Sequence, residues 1–326
     1  MPVLGMFASG LLNRRAERIV EERQSNLLGV EVYRPSVAVK TPVPVCGAKD
    51  CTGGWTPAWK KRRRPVFESQ WGCSGNCVRA LVRAAVRRES GDGGREDEGH
   101  GSHRHRVPLG LVLLAQGWIT HPQLRTALAA QRSSGHGRIG EWLEESCGLP
   151  KERVMRGLGV QWGCPVLSTE DFHPSAMALV MPKRFVAEFG LVPVRVAGSS
   201  LIYLASKAGP DAAVSLALEQ MTGLKVESGL LRESHFEAMS KSLLEEPGIA
   251  TKMDAVKDAD MLTDSIAKAL EQQQPLASRL VRVRGYYWLR LWLESESFSG
   301  AGMLPVSTAD VRDCVFEVGG RKTRGV

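Results

Sequence analysis

Apolar positions along the chain change period several times, and each change marks a different element. Leu4, Phe7, Leu11 and Leu12 share one helical face ahead of a charged run, Arg14-Arg15-Ala16-Glu17-Arg18, which predicts a short amphipathic helix within residues 4–24. That face can pack on a neighbouring domain or lie on a membrane or partner surface. Pro35, Pro42 and Pro44 then interrupt a Val-rich alternation, so residues 30–45 read as strand or extended linker. Val78 to Arg88 has the pattern of a basic amphipathic helix. From Gly91 to Ser102 no apolar residue is larger than glycine, so this stretch cannot bury a core and marks a flexible linker over 91–105.

Past the linker, apolar residues recur at helical spacing up to about residue 161, and from Ser168 to Leu244 short β-like runs alternate with helices. Leu191-Val192-Pro193-Val194-Arg195-Val196 and Ser200-Leu201-Ile202-Tyr203-Leu204-Ala205 flank Ala197-Gly198-Ser199, predicting a hairpin. A helix over Asp211–Met221, ended by Gly223, precedes a strand at Leu224-Lys225-Val226-Glu227. Residues 258–294 read as helical, with Leu276, Leu280, Val283, Tyr287 and Leu291 at helical spacing, although Gly285 weakens the middle.

The pattern therefore predicts an α+β, multidomain protein. Its parts are an amphipathic helix and extended segment (1–45), a cysteine-bearing basic module (46–90), the linker (91–105), tandem helical hairpins (106–161) leading into a small α+β unit (162–245), and a mainly helical C-terminal region (246–326). With 43% hydrophobic and 24% charged residues, neither a disordered nor a fibrous chain is expected.

The most informative feature is self-similarity at a spacing of 30 residues. Pro108, Leu109, Gly110, Leu113, Gly117, Ile119, Leu124, Leu128 and Gln131 map onto Arg138, Ile139, Gly140, Leu143, Cys147, Leu149, Val154, Leu158 and Gln161, keeping residue class at all but two places. Each copy reads as helix, turn, helix. Gly117 suits a left-handed helix end, and Thr120 with Gln123 makes a capping box for the next helix. On periodicity alone, these are two helical hairpins burying one another's leucines.

The residue identities add a second reading. The string Leu109-Gly110-x-x-Leu113-x-x-x-Gly117-x-Ile119, continued by Leu124, Leu128 and Gln131 and repeated from Arg138-Ile139-Gly140, closely resembles the tandem motif of the MshEN-type domain. That domain stands at the N-terminus of general secretion pathway E and type IV pilus assembly ATPases. Trp162-Gly163-Cys164-Pro165-Val166-Leu167, Met181-Pro182-Lys183 and Met221-Thr222-Gly223-Leu224 extend the resemblance through residues 106–244.

The resemblance implies a bacterial sensor of cyclic di-GMP, or a descendant that docks on secretion or pilus assembly proteins. It implies ligand contacts from Leu109, Gly110, Leu113, Gly117, Gln131, Arg138, Ile139, Gly140, Leu143 and Gln161. In that scheme arginines face guanines or phosphates, glycines admit the ligand close to the backbone, leucines bed the purines and glutamines hydrogen-bond.

This sequence departs from the family pattern in three ways. Pro108 stands where the family has a basic residue, Cys147 where it has glycine, and the spacer Arg132–Gly137 has six residues where five are usual. Arg106 could reach in from two positions earlier, with Pro108 fixing the backbone between. No Gly-x-x-x-x-Gly-Lys-Ser/Thr loop occurs in the sequence, and no triad or paired-carboxylate constellation stands out, so the expectation is a non-catalytic chain.

Seven cysteines bring further chemistry. Cys46-x-x-x-x-Cys51 and Cys73-x-x-x-Cys77 form two close pairs 21 residues apart, an arrangement that can close a structural zinc site of four thiolates. Unliganded buried thiols, or redox and disulfide chemistry, are the alternatives. His100, His103 and His105 could also bind a metal but sit beside the acidic-glycine linker. Cys147, Cys164 and Cys314 read as buried apolar residues.

Charge is distributed unevenly. The formal net charge is +8, and residues 1–105 hold 18 basic against 11 acidic side chains, an excess of seven. Lys60, Lys61, Arg62, Arg63 and Arg64, preceded by Trp55 and Trp59, form the strongest patch. A zinc-stabilised basic module that binds nucleic acid or an anionic membrane surface is thus the competing functional reading. No positive n-region precedes the first apolar stretch, and no apolar run reaches the roughly 20 residues of a membrane span. The expected location is cytoplasmic, with any membrane contact peripheral to the inner membrane.

Overall fold

A computed structural model describes residues 46–51, 65–91, 106–207, 209–294, 302–309 and 311–319. The helix and extended segment expected within 1–45, the basic run Lys60–Arg64 and the histidines His100, His103 and His105 lie outside these residues. The described chain opens with a small ribbon, β1 (Val66–Phe67) and β2 (Gln70–Trp71), followed by helix α1 (Gly75–Gly91). The tandem sequence then forms four helices: α2 (Leu109–Ala115), α3 (His121–Ser134), α4 (Ile139–Cys147) and α5 (Lys151–Trp162). Their limits follow the expected signals. Thr120 and Gln123 form the capping box at the start of α3, and Gly117 takes φ 68° after α2.

The next unit begins with helices α6 (Pro174–Met177) and α7 (Lys183–Phe189). The expected hairpin follows as antiparallel β3 (Leu191–Ala197) and β4 (Leu201–Ser206). Asp211 caps α8 (Ala212–Thr222) by accepting from the backbone of Ala213 and Val214, and Gly223 closes the helix at φ 71°. Strand β5 (Lys225–Gly229) then pairs parallel to β4, and α9 (Glu233–Glu245) covers the unit. Trp162–Leu167 contributes one bridge to this unit, Val166 to Leu230.

The C-terminal region differs from its expectation as mainly helical. Helix α10 (Ala259–Gln273) is present, but it lies among strands β6 (Ala250–Val256), β7 (Ala277–Val283), β8 (Tyr286–Trp292) and β9 (Val311–Val318). These form one sheet in the order β6-β9-β8-β7, with β6 and β9 parallel. The apolar residues at 280, 283, 287 and 291 belong to a hairpin turned at Arg284-Gly285, where Arg284 takes φ 54°.

Every residue of β8 is buried, because both faces of the sheet are covered. A strand in that position loses the apolar/polar alternation that distinguishes it from a helix. On one face, Val281, Trp288, Trp292 and Val315 join the core of the β3–β5 unit, which includes Phe185, Leu204, Leu218 and Leu243. On the other, Leu280, Leu289, Leu291 and Phe316 meet α10 and the apolar side of α1, including Val78, Val82 and Val86. Residues of β1 and α1 thus share a core with the C-terminal sheet. Val66 and Glu68 donate backbone hydrogen bonds to Pro275 and Ser278, and the Ser278 hydroxyl donates to Val66 O at 2.9 Å. Inside the sheet, Arg290 and Asp313 form a fully buried bidentate pair at 2.8 Å, with Arg290 also donating to Val180 O at 3.3 Å.

Candidate functional site

The two copies of the tandem motif exchange partners. Helix α3 packs on α4, and α5 packs on α2, so the second helix of each copy lies against the first helix of the other. Gln131 Nε2 donates to Gly137 O at 2.8 Å, and Gln161 Nε2 donates to Val107 O at the same distance. Donors and acceptors are each 30 residues apart, so the sequence repeat survives as an approximate two-fold in space. Each glutamine clamps the backbone just ahead of the other copy's first helix.

The glycines also repeat at the 30-residue spacing, but their closest contacts stay within each copy. A Cβ on Gly110 would stand 2.6 Å from Leu124 Cδ1, and one on Gly140 2.9 Å from Val154 Cγ1. Both glycines are buried, and what approaches their backbone is a side chain of the same copy. Leu109, Leu113 and Leu143 are buried in the core shared by the four helices, and Ile139 packs against it. Gly117 and Arg138 are exposed, and the Arg138 guanidinium forms no ion pair among the described residues. Around the Gln161 clamp, Val107 is 55%, Leu111 49% and Val160 54% exposed.

Two of the departures from the motif, Pro108 and Cys147, have physical accounts. Pro108 caps α2 with φ −54°, a value its ring favours. At the second turn the left-handed residue is Gly148, φ 65°, so Cys147 stays helical and its thiol donates to Gln123 O at 3.3 Å. Arg106 lies with its guanidinium 3.4 Å from the ring centre of Trp162, at the end of α5. Its Nη1 is buried without a hydrogen-bond partner among the described residues. Trp162 was not singled out from the sequence as an arginine partner; its place directly after Gln161 was the available signal.

The second candidate site is the cysteine cluster. Backbone pairing of Gly47 N–H with Trp71 O brings Cys46 beside β2, while Cys73 and Cys77 flank the start of α1. Gly72 permits this, since a Cβ there would stand 2.7 Å from Val78 Cγ2. All four sulfurs lie within 4.8 Å of one another, with Cys51 to Cys73 at 3.4 Å and Cys73 to Cys77 at 3.5 Å. Zinc–sulfur bonds of ~2.3 Å in a tetrahedron require sulfur–sulfur edges of about 3.8 Å, so the cluster fits a four-thiolate zinc ion with small adjustments. Cys73 N–H already donates to Cys46 Sγ at 3.4 Å, the kind of support a thiolate ligand receives. A hydrogen bond with the Ser74 side chain brings the Cys77 thiol down to about 7, whereas that with Cys51 pushes Cys73 up to about 12.

The basic face of α1 is largely spent on acids. Arg79 pairs with Asp264 and Arg83 with Asp260 on α10, and Arg88 with Glu68 and Glu89. Among the described residues, no helix is long and apolar enough to cross a membrane.

These sites define a chain that joins a tandem-hairpin unit to a cysteine-supported lobe. No family model matches it. The type IV pilus assembly ATPase PilB of Thermus thermophilus is 34% identical over 96 residues, a match covering 29% of this chain and 11% of that relative's length. This bears out the resemblance read from the tandem motif. Among solved structures, MshE with cdg is 22% identical, with a TM-score of 0.33, covering 42% of this chain and 98% of that one. The N-terminal domain of XpsE is 20% identical, with a TM-score of 0.28 over 41% of this chain and 92% of that one.

Proposed function

We propose that this chain is a non-catalytic regulatory adaptor of a secretion or pilus assembly system. Its tandem-hairpin unit takes cyclic di-GMP, and a structural zinc ion holds its cysteine lobe. The observation that carries the ligand reading is the preserved two-fold, with matched glutamine clamps at 2.8 Å. A ligand made of two equivalent nucleotide halves suits a site made of two equivalent protein halves. Arg138 supplies a guanidinium without an ion pair among the described residues, which can stack on guanine or fork onto phosphate. Exposed Val107, Leu111 and Val160 offer the apolar surface that a purine or a docking partner needs. The competing basic-module reading draws no support from α1, whose Arg79, Arg83 and Arg88 are already engaged.

Calorimetric titration with cyclic di-GMP tests this on the full chain, because the core of the β3–β5 unit is completed by Trp288, Trp292 and Val315 of the C-terminal sheet. Saturable binding is expected, and Arg138→Ala should weaken it at least about tenfold. No heat at high micromolar ligand would remove the sensor reading and leave the docking role.

A further inference from the structure

The four-stranded sheet has two edges of different character. At β7, the backbone of Val66 and Glu68 and the Ser278 hydroxyl tie the N-terminal ribbon to the sheet. At β6, no strand pairs with the outer side among the described residues; its one partner is β9. The strand is seven residues long, without proline or a bulge, and Ala250, Lys252, Met253 and Ala255 are exposed. Such an edge presents a row of backbone donors and acceptors ready to pair with another strand.

An edge lysine usually discourages such pairing. Here Lys252 is neutralised within its own strand by Asp254, Nζ to Oδ2 at 2.7 Å. The segment is also self-complementary. In an antiparallel pairing of two β6 strands centred on Met253, Lys252 of each copy lies opposite Asp254 of the other. The side chains meet on the face towards α10, where a groove of about 760 Å³ runs between β6 and Met261, Ser265 and Lys268 of the helix. On the opposite face the two Met253 side chains, each 38% exposed, would cover one another.

We propose that β6 is a homodimer interface, in which two copies of this chain join their sheets edge to edge about a two-fold axis through Met253. The sheet then becomes eight strands, and a single self-complementary segment supplies both halves of the contact. Adaptor function through the tandem hairpins does not depend on it.

Charge exchange gives a test that spares the fold, since both charged side chains lie at the sheet's open edge. Light scattering after size-exclusion chromatography, on the full chain at high micromolar concentration, should give the mass of a dimer. Lys252→Asp sets acids against acids, and Asp254→Lys sets lysines against lysines, so each should weaken the dimer at least about tenfold. An equimolar mixture of the two variants should recover a mixed dimer, and the double exchange K252D/D254K a homodimer. A wild-type chain that stays monomeric, a dimer indifferent to both single changes, or single variants that fail to recover on mixing would each overturn the proposal.

Discussion

Replacing Arg290 with methionine should cost about 3–5 kcal/mol of stability, because it strands Asp313 as an unpaired charge in the interior. Both side chains are fully buried, and they face each other across β8 and β9 in a two-bond fork at 2.8 Å. Water cannot replace the lost partner without opening the sheet. Methionine also removes the donor to Val180 O, so the segment before α7 should exchange its amide hydrogens faster. Asp313→Leu should be comparably damaging, for the mirrored reason. The double variant R290M/D313L should be more stable than either single one, because an apolar pair leaves no charge uncompensated. Urea unfolding followed by tryptophan fluorescence measures all three; the Arg290 guanidinium lies 4.7 Å from the Trp288 ring. Single variants that unfold at the wild-type midpoint would show that the pair contributes little.

Loss of the metal should be the second large effect. Purified protein should contain about one equivalent of zinc, and Cys73→Ser should abolish tight binding, since the Cys73 sulfur lies against those of Cys51 and Cys77. A bound ion stabilises by mass action: about 4 kcal/mol for free zinc roughly a thousandfold above its dissociation constant. Chelation should therefore lower the melting temperature and loosen α1, whose first turn holds Cys77. Cys314→Ser should leave the zinc content unchanged. Affinity should fall as the medium is acidified, because ligand thiols must lose their protons to bind. Less than about a tenth of an equivalent of zinc would sink this reading and leave four reduced thiols.

Local signals proved legible. Thr120 and Gln123 announced a helix start, Gly223 a helix end, and Ala197-Gly198-Ser199 a hairpin, because each is decided within a few residues. The cysteine grouping was also readable, since two close pairs can meet across one ribbon and the start of one helix. Non-local pairing was not legible. Parallel β6 and β9 join residues 250–256 to 312–318, and nothing at either end names the other. For β7 and β8, burial on both faces erased the alternation, and Leu280, Val283, Tyr287 and Leu291 happened to suit a helix. Gly285 was the residue that told against it, and in the structure it completes the turn.

At the candidate site, several of the positions singled out from the sequence serve the fold itself. Leu109, Leu113 and Leu143 fill the shared core, and Gly110 and Gly140 make room for Leu124 and Val154. A repeat pattern cannot separate residues that touch a ligand from those that let two helices meet, because both demand the same small or apolar side chains.

The crossed glutamine clamps bear on how such a domain can be shortened or inherited. Deleting one 30-residue copy would not leave half a domain. It would leave a hairpin whose first helix has lost its clamp and whose second helix has nothing to hold. A gene carrying this duplication is therefore held to it: the copies can diverge, as Pro108 and Arg138 have, but neither can be dropped alone.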